Sequence, residues 1–120
     1  MTGLLARIAL SLALTLASLT GVARAHSKDE ATLPVDGAVL KSAPETIGMT
    51  FDRPMRVTLI ILTDANGDEH DLSRTDNMQP VTSFEAAPAP LPAGSYTIEW
   101  RGLSADGHPM QGSFSFQIEG

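Results

Sequence analysis

The stretch "GSYTIEWRG", residues 94–102, contains a strict alternation of apolar and polar side chains. Tyr96, Ile98 and Trp100 occupy every second position, which predicts a β-strand with one face in a core and the other in solvent. The stretch "GSFSFQIEG", residues 112–120, repeats the pattern with two phenylalanines and an isoleucine. Two such strands, separated by about ten residues, indicate neighbouring strands of one antiparallel sheet.

The chain before these strands has the same short period. "RVTLIILTD", residues 56–64, is continuously apolar and β-branched, as expected of a central strand, and residues 46–51 and 80–86 are shorter candidates. Asn66-Gly67 predicts a tight two-residue hairpin turn of type I′. Proline and glycine interrupt every potential helix, so the predicted fold is all-β: an antiparallel Greek-key β-sandwich or barrel.

"LPAGSY", residues 91–96, has the pattern of a tyrosine corner. In that motif the hydroxyl of a tyrosine at the start of a strand bonds back to the preceding turn. Tyr96 is the tyrosine of this pattern, and the motif is typical of Greek-key sandwiches.

The amino-terminal segment has the three-part layout of a secretory signal peptide. Arg7 precedes the apolar run of residues 8–19, and Ala23-Arg24-Ala25 provides the small-x-small pattern of a cleavage site. Twelve apolar residues are too few to span a bilayer, which needs about 20. We therefore expect cleavage after Ala25, export, and a single domain over residues 26–120 that does not insert into the membrane.

The charge and the cysteine count exclude several classes of function. Removal of residues 1–25 takes away two arginines and no acids, so the formal net charge changes from −6 to −8. Such an acidic surface argues against nucleic acid as a partner. The sequence has no cysteine, so a blue-copper centre and a structural zinc–thiolate site are excluded, and any metal must be held by nitrogen, carboxylate or methionine.

His26 becomes the first residue if the chain is cut after Ala25. Its free α-amine and its imidazole Nδ1 can then chelate one metal ion, because an α-amine with a pKa of about 7.7–8.0 loses its proton to a metal at modest cost. Two nitrogen donors favour late first-row divalent ions, Cu(II) above all. The alternative from this residue alone is a frayed terminus with no role.

"SADGHPMQG", residues 104–112, places Asp106 and His108 two residues apart around Gly107. In extended backbone such residues point to one side, so the carboxylate and imidazole could share one ion, or Asp106 could orient the ring of His108. The alternative is an ordinary Asp-Gly turn with a solvated histidine. The third histidine, His70, lies in an acidic hairpin and is expected to be solvated.

The motifs of the last third resemble those of a known family. The S-x-D-G-H-P of residues 104–109, preceded by Trp100-Arg101 and followed by the G-x-F-x-F of residues 112–116, is similar to the carboxy-terminal signature of the CopC family of copper-binding proteins. "LPVDGAVLKSAPETIGMTF", residues 33–51, resembles the amino-terminal third of that family. The resemblance covers nearly all of residues 26–120.

The resemblance implies a cupredoxin-like or immunoglobulin-like Greek-key barrel that binds one Cu(II) per chain. The implied ligands are the amine and imidazole of His26, together with Asp106 and His108. The implied role is a periplasmic carrier or buffer in copper homeostasis, not an enzyme, expected to be a monomer. Copper would pass to a separate inner-membrane copper transport protein, since no membrane segment follows residue 120.

The chain departs from the family pattern at three places. The middle of the chain offers only His70 and Met78 where many members have a Met- and His-rich Cu(I) site, so that site is not expected here. Family members often have serine and then an acidic residue after this phenylalanine, whereas Phe51 is followed here by Asp52 and Arg53. An acidic side chain that supports the metal ligands from this segment is therefore in doubt. Asp29 and Glu30 follow His26 closely and could add a carboxylate ligand.

Two other classes of function remain open at this point. A copper mono-oxygenase also uses an amino-terminal histidine brace, although few aromatic residues and an aspartate in the site argue against it. A metal-free β-sandwich that acts as an interaction module would bind no copper in stoichiometric amount.

Overall fold

The computed structural model of the chain describes residues 30–120. The predicted signal peptide, the cleavage after Ala25, and the residues His26 and Asp29 lie outside this range. The strands of the described part are β1 (Glu30–Leu33), β2 (Ala38–Leu40), β3 (Ile47–Asp64), β4 (Glu69–His70), β5 (Leu72–Arg74), β6 (Val81–Pro88), β7 (Gly94–Ser104) and β8 (Pro109–Ile118).

These strands form one curled sheet that closes into a half-barrel, and the predicted Greek-key β fold is confirmed. The strand order is β2-β8-β7-β3-β6-β5, with β1 and β4 also paired to β3. All pairs are antiparallel except β2 with β8, which makes the sheet mixed. Within residues 30–120, no helix is long and apolar enough to cross a membrane.

The parallel pair is fixed by the residues that lead into β2. Asp36 accepts a hydrogen bond from the backbone N–H of Ser115 through Oδ1 at 3.0 Å, and the N–H of Gly37 donates to the carbonyl of Ser115 at 2.7 Å. The chain is thereby attached to β8 before β2 begins. Short-range patterning could not predict this pairing because Asp36 and Ser115 are far apart in sequence.

β3 differs from the prediction of two separate strands. It runs through residues 47–64 without a break and joins the two predicted segments. Pro54 lies at the junction, and because proline has no N–H to donate, the ladder to β6 shifts register between Thr50 and Met55. This irregularity separates the first half of β3, which pairs with β1 and β6, from the second half, which pairs with β7.

The core is filled by the inward-facing side chains of the long strands, as the alternation in residues 94–102 predicts. β7 alternates buried and exposed residues from Tyr96 to Gly102. Trp100 and Phe51 contact edge to face with ring centroids 5.4 Å apart, a favourable arrangement for aromatic quadrupoles. The largest fully buried side chains are those of Trp100, Phe84, Ile47, Met49, Leu62, Ile98 and Val57.

The tyrosine corner is present as predicted. The hydroxyl of Tyr96 donates to the carbonyl oxygen of Pro92 at 2.5 Å. Tyr96 also stacks on Phe116 with centroids 5.5 Å apart. Burial raises the pKa of the Tyr96 phenol, with a smaller contribution from the charge of Asp64, so the hydroxyl stays protonated and remains a donor at neutral pH.

The turn at Asn66-Gly67 is a hairpin, but the prediction of type I′ is wrong. That type needs positive φ at both central residues, and only Gly67 has it, with φ 86°. The carboxylate of Asp64 explains the difference, because its Oδ1 accepts the backbone N–H groups of Asn66 at 2.8 Å and Asp68 at 3.1 Å. A wider loop of three residues, 65–67, results.

Asp64 also holds His70, with 2.9 Å between Oδ2 and Nε2, and this contact lowers the pKa of the Asp64 carboxyl. A carboxyl with a lowered folded-state pKa stabilises the fold above the unfolded-state pKa, and that contribution is lost as pH falls through the folded-state pKa. We therefore expect Asp64→Asn to lower the free energy of unfolding at pH 7, with a smaller difference from the native protein at pH 3. Urea denaturation at both pH values measures this.

Asp68→Asn is the matched control for this prediction. It removes the same charge from the same turn without removing the contact to His70. If the two variants lose equal stability at pH 7, net charge and not the Asp64–His70 contact is responsible.

Candidate metal centre

The turn between β7 and β8 carries Asp106 and His108. The N–H of Ser104 donates to the carbonyl of His108 at 2.9 Å, and the N–H of Gly107 donates to the carbonyl of Ser104 at 2.9 Å. Gly107 has φ 84°, a conformation that glycine adopts without steric cost. These bonds close a loop of residues 105–107 and fix the backbone from which both side chains project.

The two predicted ligands of this turn are brought into contact. His108 Nδ1 lies 3.1 Å from Asp106 Oδ1, with 73% of the His108 side chain and 65% of the Asp106 side chain exposed. The two side chains meet through a turn and not through the extended backbone assumed in the sequence analysis, since Gly107 has φ 84°; that they bind a metal stays a prediction. Both side chains are open to solvent, so an ion can reach them without any movement of the core.

Ser104 organises this pair and was not singled out by the sequence analysis. Its hydroxyl donates to Asp106 Oδ1 at 2.5 Å and accepts the backbone N–H of His108 at 3.1 Å. The bond from Ser104 and the contact with His108 lower the pKa of Asp106 to about 2. Asp106 is thus a carboxylate at neutral pH. The sequence could have indicated Ser104 by its position two residues before Asp106, at the end of β7 and on the face of that strand that carries Tyr96, Ile98 and Trp100.

The distance between the two side chains suits a shared metal ion. Two ligand atoms about 2.0 Å from one ion, at angles between 90° and 110°, lie about 2.8–3.3 Å apart. The observed 3.1 Å between Oδ1 and Nδ1 falls in this range. The same distance also suits a direct hydrogen bond, in which Asp106 orients the ring and leaves Nε2 as the metal-binding nitrogen.

Asp106 and His108 do not make a complete site by themselves. Among residues 30–120, no group of three or more His, Cys, Asp or Glu side chains lies close enough together to hold an ion. Further donors would have to come from elsewhere, and the third predicted ligand, His26, lies outside the described residues.

β1, which begins four residues after His26, pairs with β3 on the same side as β7. Met55 pairs with Val81 of β6 and with Ser104 of β7, so these two strands flank β3 on opposite sides. Residues 47–50 of β3 pair with β6 on one side and with β1 on the other. β1 and β7 therefore lie end to end, and the chain enters β1 from the end where Ser104 and its turn are found.

His70 lies at the opposite end of the half-barrel. It pairs with Leu62, near the Asp64–Tyr96 end of the β3–β7 ladder, whereas Ser104 pairs with Met55 at the other end. Its ring contacts Asp64 and lies edge to face with Tyr96, with centroids 5.5 Å apart. It is half-buried rather than fully solvated as predicted, and it is not part of the Asp106–His108 pair.

Comparison with known proteins identifies a family over nearly all of the described residues. The family model described as the CopC domain matches residues 30–119. The chain belongs to the CopC family. The resemblance read from residues 100–116 and 33–51 is thereby confirmed.

Relatives of the chain support this membership. It is 33% identical to copper resistance protein C of Xanthomonas campestris pv. juglandis over 93% of this chain and 95% of that one. Among solved structures, CopC from Methylosinus trichosporium OB3b has a TM-score of 0.62 at 20% identity, covering 73% of this chain and 88% of that one. PcoC, a methionine-rich copper resistance protein from Escherichia coli, has a TM-score of 0.56 at 26% identity, covering 74% and 94%.

Proposed function

We propose that this CopC-family protein binds one Cu(II) ion through a domain that spans residues 26–120 and acts in copper homeostasis or tolerance as a carrier or buffer. Membership of a family whose relatives are named copper resistance proteins supports a copper-binding role in resistance. The observation that carries the proposal is the Asp106–His108 pair, held 3.1 Å apart at the end of the half-barrel from which the chain enters β1.

The distance from β1 to this turn suits His26 as the third residue of the site. Glu30 lies opposite Phe51, and Ser104 lies opposite Met55 on the same side of β3. The four residue steps of β3 from Phe51 to Met55 span at most about 13 Å, and the four steps from Glu30 back to His26 reach about 13–14 Å when extended. The chain from Glu30 back to His26 is therefore long enough to reach Asp106 and His108.

The proposed ligand set has the chemistry that Cu(II) prefers. It consists of three nitrogens, from the amine and imidazole of His26 and the imidazole of His108, together with the carboxylate of Asp106. Nitrogen and oxygen donors in a tetragonal arrangement are typical of Cu(II). The amine becomes available only when the bond after Ala25 is cut, so export to the periplasm and assembly of the site are linked.

A direct test is a Cu(II) titration of the processed protein, followed by the fluorescence of Trp100. We expect saturation at one equivalent, because a single His26–Asp106–His108 site is proposed, and an electron paramagnetic resonance spectrum of a tetragonal centre with coupling to nitrogen. The same titration with Zn(II) should give weaker binding, since the affinity order places Cu(II) above Zn(II). Cu(II) that binds only at several equivalents, without nitrogen coupling, would indicate adventitious surface binding and contradict the proposal.

The exposure of the pair favours transport over catalysis. More than half of each side chain, Asp106 and His108, is in solvent, so a bound ion is accessible for ligand exchange with another molecule. A carboxylate ligand would also occupy a position that an oxygen-activating copper centre keeps open. We therefore propose that the protein is not an enzyme and that it transfers copper to a separate copper transport protein.

A further inference from the structure

The hydroxyl of Ser104, the last residue of β7, contacts both proposed ligands of the turn. It donates to Asp106 Oδ1 at 2.5 Å and accepts the backbone N–H of His108 at 3.1 Å. His108 Nδ1 lies 3.1 Å from the same carboxylate oxygen. The three contacts join Ser104, Asp106 and His108 into a closed ring that we call the Ser104 clip.

The backbone of the turn closes without this hydroxyl. The N–H of Ser104 donates to the carbonyl of His108, and the carbonyl of Ser104 accepts the N–H of Gly107, both at 2.9 Å. These main-chain groups are present in alanine as well as in serine. A substitution at residue 104 can therefore remove the two bonds of the hydroxyl and keep the bonds that close the turn.

The proposed ligands need such support because the core does not hold them. The side chain of Asp106 is 65% exposed and that of His108 is 73% exposed, and an exposed side chain exchanges between staggered rotamers. Ser104 is half-buried and pairs with Met55 in the β3–β7 ladder, so the sheet fixes its position. Its hydroxyl in turn restrains the carboxylate of Asp106 and the backbone of His108.

A group that is already held in its bound geometry binds more tightly, because less freedom is lost when the complex forms. Metal ligands are commonly oriented by hydrogen-bonded residues outside the ligand set. We propose that Ser104 is a positioning residue of the Cu(II) site, whose hydroxyl holds Asp106 and His108 together before the ion binds. The inference rests on the proposed Cu(II) function and adds to it a residue that acts through the ligands.

Ser95 lies near the other end of β7 and provides a matched control. It is exposed and pairs with Gln117 of β8. Ser95→Ala removes a hydroxyl from β7, as Ser104→Ala does, but away from the Ser104 clip. Ser104→Thr is the rescue variant, because it keeps the hydroxyl and threonine is favoured in strands.

The first measurement is amide hydrogen exchange by NMR, and it needs no copper. The amide proton of His108 should exchange about two- to tenfold faster in Ser104→Ala than in the native protein, which corresponds to the net contribution of one hydrogen bond. The amide of Gly107 should be unchanged, because its acceptor is the carbonyl of residue 104. Ser104→Thr should exchange like the native protein. An unchanged rate for His108 in Ser104→Ala would overturn the proposal.

The second measurement is a competition titration with Cu(II) of the processed protein and the three variants. Ser104→Ala should weaken binding by about tenfold, the low end of what loss of a supporting group costs a metal site, whereas Ser104→Thr and Ser95→Ala should bind like the native protein. The electron paramagnetic resonance spectrum of bound copper should change in Ser104→Ala alone, because the carboxylate is no longer held in one orientation. A role in stability alone would lower the unfolding temperature and leave the affinity and the spectrum unchanged.

The outcomes separate this proposal from the proposed Cu(II) function. Native affinity and an unchanged spectrum in Ser104→Ala would reject the role of Ser104 and leave the Cu(II) function intact. Equal weakening in Ser104→Ala and Ser104→Thr would also reject it, since the hydroxyl would not be responsible. A native protein that binds no Cu(II) would reject the function and this proposal with it, and the native titration alone gives that result.

Discussion

A single additional residue before His26 is expected to abolish tight Cu(II) binding. It converts the α-amine into an amide, which has no basic lone pair for a metal, and it removes the chelate between amine and imidazole. Loss of supporting groups outside the ligand set already costs about 10–100-fold in metal affinity, so we expect the loss of a chelating ligand to exceed about 100-fold. Competition titrations of the processed and extended proteins against a Cu(II) chelator measure the difference.

The matched control for this experiment is the extended protein itself after its extra residue has been removed by an aminopeptidase that stops at His26. Restored binding shows that the free amine, and not a folding defect, is responsible. The thermal unfolding of both forms should be alike without copper, since the change lies before β1. If the extended protein binds Cu(II) as tightly as the processed one, His26 does not supply its amine, and the proposed site is wrong.

Replacement of His108 by alanine is expected to have the second largest effect, a loss of Cu(II) affinity of about 100-fold or more, because it removes an imidazole ligand and not only a supporting group. The fold should be retained, since 73% of the His108 side chain is exposed and substitutions at such positions usually change stability by no more than about 0.5 kcal/mol. Isothermal titration with Cu(II), alongside urea denaturation, separates binding from stability.

His70→Ala is the matched control because His70 is the other histidine of the described residues and lies at the opposite end of the β3–β7 ladder. It should leave Cu(II) affinity unchanged, although it removes the contact with Asp64. Equal losses in the two variants would point to non-specific binding by histidines. Asp106→Asn should fall between His108→Ala and the native protein, since an amide oxygen is a weaker ligand than a carboxylate.

Much of the fold follows from short-range patterns in the sequence. The alternation of Tyr96, Ile98 and Trp100 predicts which face of β7 is buried, because side chains on a strand alternate between two faces with a period of two. The tyrosine corner is predicted for a similar reason, since Tyr96 and Pro92 are only four residues apart. The type of the turn at Asn66-Gly67 could not be predicted from this dipeptide alone. A side chain outside it, that of Asp64, accepts backbone N–H groups of the turn.

Less of the candidate site follows from local sequence. Asp106 and His108 are only two residues apart, so their proximity could be predicted, although a turn at Gly107 and not extended backbone brings them together. The alignment of β1 with β7 along β3 could not, because it depends on pairings between residues 15 to 49 positions apart. His26 as a ligand remains a prediction, based on the residues that surround the cleavage site and on the family resemblance.

The sequence by itself determined the all-β fold, the CopC family and the Asp106–His108 pair, since each depends on the spacing of residues close together in the chain. Only the tertiary structure decided that the chain enters β1 from the end of the half-barrel that holds this pair. It alone placed Glu30 opposite Phe51 and Ser104 opposite Met55 on one side of β3, 21 and 49 residues away in sequence. The physical reason is that hydrogen-bonded register between strands, which no local pattern encodes, decides which distant side chains share one face.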